Sequence, residues 1–164
     1  GSTDHFILAR ALELAGGNPR KLIYVPYDGG GKAMAGILTG ESQILSTGLS
    51  EALDMARAGE ARIIGVTAPQ RLTDAPDIPT LIEQGYDLQF ANWRGFFAAP
   101  GLSDANYENM MLTVSDALST DAFEAVRKRN GWTLLHHEGS EFYSFLERQE
   151  QEISVLMRQL GFLR

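Results

Sequence analysis

Residues 22–46 read LIYVPYDGGGKAMAGILTGESQILS, and the order of patterns within them decides the fold. Leu22-Ile23-Tyr24-Val25 is a short apolar run between Pro19 and Pro26, the pattern of a buried strand. Three glycines follow, then Met34, Ile37 and Leu38 at helical spacing, with Gly40 to stop the helix. Gln43-Ile44-Leu45-Ser46 is strand-like again. Outward from this stretch the alternation continues in both directions. Upstream, Ile7, Leu8, Ala11, Leu14 and Ala15 share one face of a helix that stops at Gly16-Gly17. Downstream, Leu49, Leu53 and Ala56 predict a third helix, and Ile63 to Thr67 a third strand. Strands alternating with helices across short links imply an α/β unit built on a parallel sheet with right-handed crossovers.

Beyond this unit the pattern changes. Residues 68–80, APQRLTDAPDIPT, carry three of the six prolines and predict a surface loop, with Pro79 opening a short helix that ends at Gly85. LQFANWRGFFAAPG, residues 88–101, predicts an aromatic strand interrupted at Gly95, a natural place for a bend or a crossing. Ser103 is placed to cap a helix with Tyr107, Met110, Met111, Val114 and Leu118 on its face. A further helix from Asp121 to Gly131, a strand-like WTLLH at 132–136 and a long C-terminal helix from Ser140 complete the chain. Tyr107, Phe142 and Phe145 are expected to face the core.

Composition narrows the function. A chain of 164 residues with 44% apolar and 21% charged residues has the make-up of a globular protein with a sizeable core. No stretch approaches the roughly 18 uninterrupted apolar residues of a membrane helix. Twenty-one Asp and Glu against fourteen Lys and Arg give a net charge of −7 without a basic cluster, which argues against nucleic acid as a partner. The absence of cysteine excludes disulfides and thiolate chemistry. The chain starts at Gly1, so a processed product, a tagged product or a piece of a longer protein is expected.

The glycines pose the chemical question. A nucleotide P-loop requires glycine where Pro26 stands and Ser or Thr where Ala33 stands, and the dinucleotide template from Gly29 ends on Met34. Both templates fail. What remains is Gly29, Gly30 and Gly31 between a strand and a helix, where backbone can approach a ligand and the first-turn N–H groups face it with the positive end of the helix dipole. Such a site takes a carboxylate as well as a phosphate. The bland alternative is a glycine-rich turn.

Ser2, Thr3, Asp4 and His5 form a second polar cluster before a helix, either a cap with His5 left over or the polar end of a ligand pocket. An acyl- or phosphoryl-transfer enzyme using His5 and the Gly29–Gly31 loop is the alternative function. It is disfavoured because sequence neighbours rarely reach triad geometry and no Gly-x-Ser-x-Gly elbow exists in the chain. His136 and His137, adjacent in a predicted strand, point to opposite faces and do not readily share a metal ion.

The order of motifs is more specific than any one of them. GSTDH at 1–5, VPYDGGGKA at 25–33, SEALDMARAGEARIIGVT at 50–67, RLTDAPDIPTLIEQG at 71–85 and ANWRGFFAAPG at 91–101 together resemble the tripartite tricarboxylate transporter solute-binding proteins, the TctC or Bug family. The resemblance runs along essentially the whole chain. It implies a periplasmic-binding-protein-like (type II) fold of two three-layer α/β domains around a cleft that closes on a small carboxylate, periplasmic location, and delivery to a membrane permease. It brings no cofactor, metal or catalytic residue. Carried onto this chain, the ligand contacts fall on Ser2, Thr3, Asp4, His5, Tyr27, Gly29, Gly30 and Gly31, with Thr47 and Leu49 of the loop Thr47-Gly48-Leu49-Ser50 as further candidates.

Members of that family are longer, so the resemblance makes this chain a fragment. Residues 1–91 and 138–164 are then expected to form the second domain, and 92–137 to cross into a first domain that is mostly missing. Strand edges and apolar helix faces left without their sheet imply self-association.

Overall fold

A computed structural model describes residues 2–161 and 163; Gly1, the first residue of the polar loop, lies outside them. Among the described residues, six α-helices span Thr3–Leu14 (α1), Gly30–Leu38 (α2), Leu49–Arg57 (α3), Asp104–Leu118 (α4), Asp121–Arg129 (α5) and Gly139–Gln159 (α6), with a short 3-10 turn at Pro19–Lys21. The chain divides into two compact units, Gly1–Asn92 with Arg148–Arg164, and Trp93–Glu147.

Local chemistry sets the helix ends. Ser2 caps α1 by accepting the His5 N–H at 3.3 Å. The same helix closes where Gly16, at φ 79°, lets Gly17 N–H return to Leu12 C=O at 2.9 Å. Ser103 and Thr120 cap α4 and α5 in the same way as Ser2. Phe6, Ala9, Ala33 and Met34 are the buried apolar residues of α1 and α2, and Ala75 and Leu88 join them from the loops.

The predicted strands differ from what is found. Among the described residues there is a single isolated parallel β-bridge, between Val66 and Thr80, and no ladder along 22–25, 43–46, 63–67 or 132–136. The bridge consists of Val66 N–H to Pro79 C=O and Leu81 N–H to Val66 C=O, both 3.0 Å. The physical reason lies in what an apolar run encodes. It states a demand for burial, whereas a ladder also needs a neighbour held in register. Register is fixed here only where side chains hold it. The Thr67 hydroxyl donates to Phe90 C=O at 2.7 Å, and Phe90 N–H returns to Thr67 C=O at 3.0 Å. Beside them, Thr80 N–H donates to Glu83, whose carboxylate also takes the Arg71 guanidinium at 3.0 Å. Without such ties Ile23 and Ile44 are exposed.

The same Thr80 and Glu83 exchange side-chain-to-backbone bonds in both directions, so the segment after Pro79 forms a hydrogen-bonded turn in place of the predicted short helix. In the unit Trp93–Glu147, Trp93 meets Phe142 and Phe145 edge-on, each at 5.7 Å between ring centres. This aromatic packing ties the first turns of α6 to the segment around Gly95. Tyr107, expected inside, is 44% exposed. His136 Nε2 stands 2.5 Å from Glu138, while His137 stacks on Phe145, so the two imidazoles are engaged separately.

Candidate functional site

Three helix N-termini of the first unit carry the candidate residues. At α2, Gly29 is the cap with φ 106° and ψ 162°, a conformation that side-chain-bearing residues rarely adopt. The first bond of the helix runs from Ala33 N–H to Gly29 C=O at 3.3 Å. The N–H groups of Gly30, Gly31 and Lys32 therefore lie ahead of the helical ladder, at the positive end of the dipole. Space around them is uneven. A Cβ added at Gly31 would meet nothing within 4 Å, whereas one at Gly30 would stand 2.7 Å from Glu51 Oε1.

That contact joins α2 to α3. Glu51, in the first turn of α3, accepts the Gly48 N–H at 3.3 Å and the Thr47 hydroxyl through Oε2. It satisfies the start of its own helix while facing the start of another. Thr47 is thereby engaged with Glu51, and Leu49, the first residue of α3, is half-buried. Asp4 of α1 feels the same carboxylate: burial pushes the Asp4 carboxyl above its ordinary value, and the negative charge of Glu51 pushes it the same way.

The rest of the α1 cluster packs on Tyr24. The Ser2 and Tyr24 hydroxyls are 2.6 Å apart, and the His5 ring lies parallel to the Tyr24 ring at 4.4 Å. Burial holds the His5 imidazole below its ordinary value. A neutral, ring-stacked imidazole can take part in hydrogen bonding without bringing a charge. Thr3 opens α1 and is half-buried.

Tyr27 is placed differently from the glycines that follow it. Its hydroxyl is 3.1 Å from Ser42 Oγ, and its ring covers Gly36, where any Cβ would collide with it. Lys32 pairs with Asp28 at 3.3 Å on an exposed surface, so the cation beside the glycines is directed to its own neighbour. Asp4, Gly30 and Thr47 thus meet at Glu51, Ser2 and His5 meet at Tyr24, and Tyr27 faces along α2.

Two residues were missed by the reading of motifs. Glu51 stands three positions after the cap Gly48, the spacing of a helix-capping carboxylate, and that signal was present in the sequence. Tyr24 lay inside a run read as a buried strand, and nothing local marks its hydroxyl as a partner for Ser2.

Comparison with known proteins places the chain in a family. The family model described as the tripartite tricarboxylate transporter family receptor, TctC, matches residues 1–162. The chain is 27% identical over 141 residues to a UPF0065 protein of Bordetella pertussis, covering 85% of this chain and 44% of that protein. It is likewise 27% identical over 133 residues to a UPF0065 protein of a Pseudomonas species, covering 78% and 38%. Among solved structures, a TctC solute-binding protein from Polaromonas without ligand superposes with a TM-score of 0.78 at 21% identity, over 98% of this chain and 55% of that one. An R. palustris protein solved with adipate gives 0.81 at 20% identity, over 98% and 53%.

The fold is therefore that of the TctC solute-binding proteins. The chain spans less than half the length of the two curated relatives and just over half of the two solved structures. The family is one of solute-binding receptors, not of enzymes, so the catalytic use of His5 has no support. Matched along nearly its whole length, the chain belongs to the TctC family of tripartite tricarboxylate transporter receptors.

Proposed function

We propose that this chain supplies one wall of an extracytoplasmic receptor cleft that captures a small di- or tricarboxylate, citrate-like in size, and hands it to the membrane permease of a tripartite transporter. The observation that carries the reading is the set of first-turn N–H groups at Gly30, Gly31 and Lys32, outside the helical ladder in a chain of a receptor family. Adipate in the R. palustris relative supports a carboxylate as the ligand class. Ser2, Thr3, Asp4, His5, Tyr27, Gly29, Gly30, Gly31, Thr47 and Leu49 are the proposed ligand-contacting set. Of these, the backbone of Gly30 and Gly31 makes the direct contact, and Tyr27 acts by holding α2 against Ser42.

We infer further that residues 1–91 and 138–164 belong to the second domain of such a receptor and that 92–137 crosses toward the first. The division between Asn92 and Trp93 supports the first of these boundaries, while the second division falls later, between Glu147 and Arg148. A parallel sheet along 22–25, 43–46 and 63–67 completes the proposal for the intact receptor, as does periplasmic location. No described helix is long and apolar enough to cross a membrane.

Thermal-shift titration of the chain with citrate and adipate tests the reading. Both are expected to raise the melting temperature, with the rise growing as the logarithm of one plus the ratio of concentration to Kd. In Gly30→Val, which drives a side chain into Glu51, the ligand-dependent rise is expected to vanish. No rise with either acid, or an undiminished rise in the variant, contradicts the proposal.

A further inference from the structure

We propose that the Asp28-Gly29 step is a covalent modification site: in the folded chain the Gly29 nitrogen attacks the Asp28 carboxyl and converts residue 28 to isoaspartate. Asp28-Gly29 and Asn130-Gly131 are the two steps in the chain where an aspartyl or asparaginyl side chain is followed by glycine, the neighbour that hinders ring closure least. Local chemistry alone favours the second, because an amide that releases ammonia closes the ring faster than a carboxyl that must release water. The structure reverses that order.

At Asn130 both reacting groups are engaged. The residue caps the C-terminus of α5 with φ −90° and ψ 0°. Its Nδ2 donates to Val126 C=O at 2.7 Å, and the attacking nitrogen, that of Gly131, donates to Lys128 C=O at 3.0 Å. Trp132 N–H returns to Arg127 C=O at 3.0 Å just beyond. Ring closure here requires the last turn of α5 to open. At about fivefold in population per hydrogen bond, releasing the two bonds on the reacting groups slows the reaction at least about tenfold.

At Asp28 nothing comparable has to open. Its side chain is 94% exposed, and its partner Lys32, 3.3 Å from Oδ2, is itself 69% exposed; a surface pair of this kind holds little. The ladder of α2 begins with Ala33 N–H to Gly29 C=O, and among the described residues the Gly29 N–H donates no hydrogen bond. A Cβ at Gly29 would meet nothing within 4 Å, so the ring has room to form.

The step balances without an oxidant, a reductant or a cofactor. Gly29 N bonds to Asp28 Cγ, the Cγ–OH bond breaks, and the hydroxyl leaves as water with the amide proton. The product is a five-membered succinimide, which water reopens. Entry of water at Cγ restores aspartate. Entry at the main-chain carbonyl carbon breaks its bond to Gly29 N, so the chain runs through Cβ and Cγ, one carbon longer, with the former main-chain carboxylate pendant. From Gly29 onward the chain is unchanged, so α2 is retained while its entry is redirected and a negative group is displaced beside the amides of Gly30 and Gly31.

Peptide mapping by mass spectrometry, with isoaspartate detection, reads the step in the full chain held in mildly acidic buffer, folded and in urea. Folding is expected to slow conversion at residue 28 by less than about tenfold, since no local opening is needed, and a larger slowing overturns the proposal. Asp28→Asn places the same amide chemistry at both steps of one chain. In mildly alkaline buffer, position 28 of that folded variant is expected to deamidate at least about tenfold faster than Asn130, and the two rates to become alike in urea. Equal rates in the folded variant, or the same inequality in urea, overturn the role of the fold. The unaltered chain decides the matter even where the variant folds poorly. The effect on binding rests on the receptor reading above. Chain converted at residue 28 is expected to lose the adipate-dependent thermal shift of the unconverted chain. An undiminished shift overturns that consequence and leaves the modification standing, and no shift in the unconverted chain overturns the receptor reading alone.

Discussion

Gly29 and Gly31 stand two residues apart in one loop, yet they ask different things of the chain. Gly29 holds φ 106° as the cap of α2, a region that a Cβ makes costly, while Gly31 lies inside the first turn with open space around it. Gly29→Ala is therefore expected to destabilise the protein by about 1–3 kcal/mol. Gly31→Ala is expected to be neutral or stabilising by up to about 1 kcal/mol, because alanine gains helix propensity without a collision. Urea denaturation of the two variants checks the pair, and equal losses would contradict the assignment. At this scale the sequence was informative about backbone and poor about partners. A run of three glycines before a helix announces close approach, and the failure of the nucleotide templates at Pro26 and Ala33 follows from residue identity alone. That Glu51 overhangs Gly30 depends on how α2 meets α3, which no local pattern contains.

Helices were the most legible elements, because each boundary is set by residues adjacent in sequence. The capping hydroxyls of Ser2 and Ser103 and the left-handed glycines at 16, 40 and 131 work within a single turn. Strands were the least legible, since their partners are distant and an apolar run gives no register. Among the described residues, the backbone pairs only where Thr67 reaches Phe90 and Glu83 joins Arg71 to Thr80. Short-range electrostatics on helices is legible too. In α5 the Arg127 side chain bonds Glu124 at 2.7 and 2.8 Å and holds its carboxyl down to about 2, from an ordinary 4.5. A depressed carboxyl contributes stability that is present above the unfolded value and lost as pH falls toward the folded one. Between about pH 4.5 and 2 the Glu124 contribution is therefore expected to disappear. Carbon-13 titration of the glutamate carboxyls should find Glu124 protonating near pH 2, and a midpoint near 4.5 would remove this account of α5.

For the whole molecule, apolar exposure carries the consequence. Ile23 in one unit and Phe96, Phe97 and Leu134 in the other are each at least 70% exposed, and large apolar side chains left this open favour association with a partner surface. Light scattering on the isolated chain is expected to report dimers or larger species that dissociate on dilution, and a compact monomer at every concentration would contradict that. Family and fold were readable from the order of motifs along the chain, since each motif reflects a turn or a helix start that the family shares. The pairing of units and the ligand itself were not, because a cleft is completed by residues far apart in sequence. The central claim is that a carboxylate ligand is held by the start of α2. Its most direct test is the map of backbone amide shifts when the chain is titrated with adipate or citrate. Shifts concentrated at residues 29–33, 48–51 and 2–5 are predicted, and saturable shifts that spare the amides of Gly30, Gly31 and Lys32 would contradict it.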